Sequence, residues 1–62
     1  MNFPLKIKIY ERFLTQYDFA NCIGVSEPMV SKVVRERKDL SDLEKKRWAA
    51  ALRCRVEEVF PK

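Results

Sequence analysis

The sequence predicts an all-α domain of five short helices, and three observations carry that prediction. One glycine and three prolines are too few for the many turns a β-rich chain requires. Thr15, Ser26 and Ser41 each stand just before an apolar stripe at helical spacing, where a side-chain oxygen caps a helix. At 62 residues and 47% apolar content, the chain holds one domain, residues 1–62, around one small core.

The first element is ambiguous by period. Residues 5–9, Leu-Lys-Ile-Lys-Ile, alternate apolar and charged as a strand does. Leu5, Ile9 and Phe13 also recur every four residues, with Tyr10 beside them, and this pattern runs further. Pro4 suits a first helical turn, so the reading is a helix over 4–14. Thr15 is placed to accept the N–H of Asp18 and opens a second helix, with Phe19, Ala20 and Ile23 inward and Gly24 at its end. Ser26 caps a third helix with Pro28 in its first turn and Val30, Val33 and Val34 as its buried stripe. Ser41 and Glu44 form a capping box that opens a fourth, running to about Leu52 with Trp48, Ala51 and Leu52 inward. Val56, Val59 and Phe60 make a last short turn of helix. The expected core is Phe13, Phe19, Ile23, Val30, Val33, Leu40, Trp48, Leu52, Val56 and Phe60.

Composition narrows the function classes. Without histidine there is no imidazole base and no histidine metal ligand. Cys22 and Cys54 lack the spacing of a metal site, so neither a metal nor another cofactor is expected, and no enzyme. Without a secretion signal the two read as reduced thiols in a core or on a surface, Cys22 being partly exposed. The longest apolar run is five residues, 48–52, too short for a membrane span, and the N-terminus lacks the apolar core of a signal peptide. The expected compartment is the cytoplasm.

Residues 16–35, QYDFANCIGVSEPMVSKVVR, carry the functional argument. Two short helices meet at Gly24-Val25-Ser26, with Ala20 small at their closest approach and Val25 in the corner. Ser26, Glu27, Pro28, Ser31, Lys32 and Arg35 then share a free face, suited to the major groove of DNA.

The ordered set LTQYDFANCIGVS, VSKVV, RERKDLS, WAAAL and VEEVF resembles the helix-turn-helix domain of phage repressors, Cro proteins and related XRE-type bacterial regulators. The resemblance spans residues 5–60 and implies a compact lambda-repressor-like fold that binds double-stranded DNA and regulates transcription. It implies base reading by Glu27, Pro28, Ser31 and Lys32. It implies phosphate contacts by Gln16 and Tyr17 at the start of the second helix, and by Arg35, Arg37 and Lys38 beyond the third. Leu14, Glu36 and Arg53 stand where that family commonly has glycine, so the backbone either differs there or is strained.

Charge leaves two readings open. Residues 27–39 carry four bases and three acids, whereas residues 44–55 carry five bases and one acid. The Lys45 and Lys46 pair reads as a solvated helix face or a long-range attractor of DNA. A mildly basic reading face fits a sequence-selective, Cro-like regulator of the kind phages and integrated elements encode. The rival is a protein-interaction module, an antitoxin or antirepressor built on the same scaffold. No sensor domain, membrane contact or small-molecule ligand is expected. One domain reads few base pairs, so a homodimer is expected at least on DNA, with Val59, Phe60 and Pro61 as one pairing surface. Full use of Val59 and Phe60 in the monomer core is the alternative.

Overall fold

The strand-like alternation of residues 5–9 resolves as helix in the computed structural model, which describes residues 1–61. Five helices follow in order: α1 (Phe3–Arg12), α2 (Gln16–Ile23), α3 (Glu27–Val34), α4 (Asp42–Ala51) and α5 (Val56–Val59). No strand occurs among the described residues. The domain is all-α.

α1 lies within the expected 4–14 span at its C-terminal end and exceeds it at the other. Asn2 caps it, its Oδ1 accepting the N–H of Leu5 at 3.1 Å. The same side chain donates from Nδ2 to the Val59 carbonyl at 2.7 Å, and the Asn2 backbone N–H donates to the Val34 carbonyl at 2.7 Å. One residue thus ties the start of α1 to the ends of α3 and α5. The helix stops at Arg12 because Phe13 turns extended, at φ −134° and ψ 155°, and packs against the core.

Thr15, Ser26 and Ser41 cap α2, α3 and α4 as their positions predict, accepting the N–H groups of Asp18, Met29 and Glu44. The capping box is complete, with the Ser41 N–H donating to Glu44 Oε1 at 3.0 Å. That backbone hydrogen bond, the largest influence on it, holds the Glu44 carboxyl below its ordinary value.

Phe19 centres the core. It is fully buried, and its ring meets Phe13 and Trp48 edge-on, each at 5.4 Å between centroids. Leu5, Ile9, Ala20, Val34, Ala49 and Val59 join the buried set beyond the expected core. Phe13, Ile23, Val56 and Phe60 pack against that core from partly exposed positions. Cys54 is half-buried, and loss of solvation pushes its thiol pKa up, as suits a small hydrophobe.

Three helices end in the same way. Val25, Arg37 and Cys54 donate their N–H groups back to the carbonyls of Ala20, Lys32 and Ala49, at 2.8–3.1 Å. Each closure needs a left-handed residue just before the donor: Gly24 at φ 76°, Glu36 at 62° and Arg53 at 55°. Two of the three glycine-like positions singled out above are therefore strained, whereas Leu14 is not left-handed. A Cβ added at Gly24 would meet nothing within 4 Å, so glycine serves only the dihedral there. Arg53 is exposed and makes no ion pair among the described residues. Arg53→Gly should therefore raise stability by about 1 kcal/mol, the relieved strain exceeding the entropy cost of glycine. Thermal unfolding should register this as a rise of roughly 4–8 °C. An unchanged midpoint would mean that the residue sits there without strain.

Candidate nucleic-acid interface

α3 has two faces set by its sequence. Val30, Val33 and Val34 are buried, so the residues between them turn outward. Pro28, Lys32 and Arg35 are exposed, while Glu27 and Ser31 are half-buried along the margins of the same face. All four residues expected to read bases therefore share one open surface with Arg35. Pro28 does no harm in the first turn, where its missing N–H would have no helical partner.

α2 supports this surface from behind. It packs against α3 through the buried Phe19 and Ala20, and the Gly24-Val25-Ser26 turn joins the two. Val25 is half-buried in the corner, its N–H held by the Ala20 carbonyl at 3.0 Å. Gln16 and Tyr17 occupy the first turn of α2, Gln16 half-buried and Tyr17 exposed. The first backbone N–H groups of a helix lack intrahelical acceptors, so an anion placed here meets donors and the positive helix end.

Arg37 and Lys38 lie exposed in the loop between α3 and α4. Lys32, Arg35, Arg37 and Lys38 form no ion pair among the described residues. The nearby Glu36 carboxylate instead sits 2.8 Å from the Met1 amino group. Four cationic side chains thus stand free at and beyond the C-terminal end of α3. Glu27 likewise makes no internal ion pair or side-chain hydrogen bond among the described residues.

Some surface residues fall elsewhere. Lys45 Nζ lies 5.8 Å from the centre of the Phe60 ring, an internal cation–π contact, while Lys46 is exposed on α4. Leu14, the most exposed large apolar side chain among the described residues at 87%, stands two residues before α2 and near Tyr17 in the chain. Its apolar character carried no periodic signal, which is why the sequence assigns it no role. An open cleft of about 420 Å³ between the α3–α4 loop and the C-terminus is lined by mixed charge, including Glu36, Lys38, Asp39 and Lys45. Among the described residues, no three His, Cys, Asp or Glu side chains are grouped to hold a metal. Among the described residues, no helix is long and apolar enough to cross a membrane.

Comparison of the chain with protein-family models, curated proteins and solved structures returns no match.

Proposed function

We propose that this protein binds double-stranded DNA at specific sites and regulates transcription, in the manner of the Cro-like repressors its sequence resembles. The observation that carries the reading is the open face of α3, where Glu27, Pro28, Ser31 and Lys32 stand together beside unpaired cations. In this reading α3 enters the major groove. Glu27, Pro28, Ser31 and Lys32 meet base edges, and Arg35, Arg37 and Lys38 neutralise phosphates. Gln16 and Tyr17 contact phosphates of one strand at the start of α2. Selection from random duplexes tests this: enrichment of one motif supports it, and no enrichment over the starting pool overturns it.

A second reading draws on the exposed Leu14 and Tyr17, at 87% and 61%. Apolar side chains this exposed suit a protein partner better than a polyanion. Under that reading the chain is an antitoxin or antirepressor whose α2 edge docks on another protein.

Glu27 is the most diagnostic residue of the DNA reading. A carboxylate facing the groove is repelled by phosphates unless it accepts a hydrogen bond, and of the two amino donors there, on adenine and cytosine, cytosine N4 is the usual partner of a carboxylate. Ser26 already satisfies the Met29 N–H at 3.3 Å, which leaves Glu27 only its favourable charge at the helix start. Glu27→Gln should strengthen nonspecific binding and weaken discrimination at one C·G pair by about 1–3 kcal/mol. Titration of every single-base variant of the selected site checks it. Unchanged discrimination throughout would reduce Glu27 to a helix-end charge.

A further inference from the structure

The pairing surface expected at the C-terminus is not available as an apolar patch. Val59 is fully buried, and Phe60 is flanked by Trp48, at 6.4 Å between ring centroids, and by the Lys45 ammonium. Exposed apolar area concentrates instead on α1. Phe3, Ile7 and Tyr10 are 60%, 57% and 50% exposed, on the side opposite the fully buried Leu5 and Ile9. Their spacing of four and then three residues lines one narrow stripe along the helix, as in a coiled-coil seam.

We propose that this stripe is a self-association surface on which two copies of the chain pair with their α1 helices parallel. Charge selects both the occupant and its direction. Lys6 and Glu11 flank the stripe on opposite sides, Lys6 at its middle and Glu11 just past its C-terminal end. In a parallel pair, Lys6 of each copy faces Glu11 of the other, giving two ion pairs by symmetry. In an antiparallel pair each flank meets its own kind, and neither ion pair forms. Glu11 is already within 3.4 Å of Lys8 in its own helix, but its side chain remains 56% exposed and has a second oxygen to offer.

Area sets the strength. Three half-exposed side chains of this size offer on the order of 300–400 Å² per copy. That is below the roughly 800 Å² per partner of a standard stable interface, so the pair is weak and transient in free solution. It stands on α1 alone and is measured without DNA, so its failure leaves the DNA reading untouched.

Sedimentation equilibrium of the full chain, from roughly 10 µM to 1 mM, tests the pairing. The average mass should rise from one copy toward two across that range. Ile7→Asp should weaken pairing by about tenfold or more, because it places an unpaired charge in the seam. Its thermal unfolding midpoint should match that of the unchanged chain, since Ile7 lies outside the core. Lys6→Glu and Glu11→Lys should each weaken pairing severalfold, and an equimolar mixture of the two should restore it, since both cross-pairs are then opposite in sign. A constant single-copy mass overturns the proposal, as does pairing that survives Ile7→Asp. Failure of the mixed variants to restore pairing overturns the parallel register.

Discussion

Phe19→Ala is expected to remove a large part of the folding stability at 25 °C. The side chain is fully buried, and its ring joins Phe13 on one side to Trp48 on the other. Truncating a buried phenylalanine costs about 3–5 kcal/mol, through lost burial and the cavity left behind. A domain of 62 residues has a total stability of about 3–9 kcal/mol at the usual 0.05–0.15 kcal/mol per residue. The loss takes from about a third to all of that total. Far-UV circular dichroism and urea titration read the outcome, and Trp48, packed directly on Phe19, adds a fluorescence signal from the same place. Leu14→Ala serves as the contrast, because an 87% exposed side chain has little burial to lose. A Phe19→Ala protein that melts within a few degrees of the unchanged chain would show that the core does not depend on this ring.

The second large effect is on DNA affinity. If Lys32, Arg35, Arg37 and Lys38 together neutralise three or four phosphates per copy, log affinity should fall against log salt with a slope of about −3 to −4. Between roughly 50 and 200 mM salt, that slope amounts to a loss of about 60- to 250-fold. Arg35→Ala should flatten the slope by about one, with Lys46→Ala on the far helix as the control that leaves it unchanged. Titration of one labelled duplex at several salt concentrations supplies all three slopes. A salt-independent response would move the protein-interaction reading ahead, since counterion release is inseparable from phosphate neutralisation.

Much of the fold was legible because its boundaries are local. A Ser or Thr at 15, 26 and 41 needs only the next three residues to cap a helix, and each does so. Asn2 caps α1 by the same local rule, with Leu5 three residues on, and a reading that starts the helix at Pro4 passes over it; only its amide bond to Val59, 57 residues away, is tertiary. Glu36 and Arg53 stood out only as absent glycines. That each adopts a left-handed φ follows from the hydrogen bonds closing α3 and α4, which outweigh the residue's own preference. Of the candidate site, the side-chain set on α3 was legible as a face. The free state of its cations was not, because whether a charge is paired depends on which carboxylates the fold brings near.

What the sequence determined by itself is therefore the all-α class, the starts of α2, α3 and α4, and the inward stripe of α3, each a matter of hydrogen bonds or periodicity within one helix. The tertiary structure decided what depends on neighbours. α1 carries two apolar faces, Leu5 with Ile9 and Phe3 with Ile7 and Tyr10, and the primary structure does not rank them. Packing against α2, α3 and α5 covers the first face and leaves the second in solvent. The same packing buried Val59 and set Phe60 against Trp48, moving the exposed apolar surface from the C-terminus to α1. Hydrophobic burial is non-directional, so periodicity marks which residues can share an interface, while only the arrangement of helices decides which interface forms.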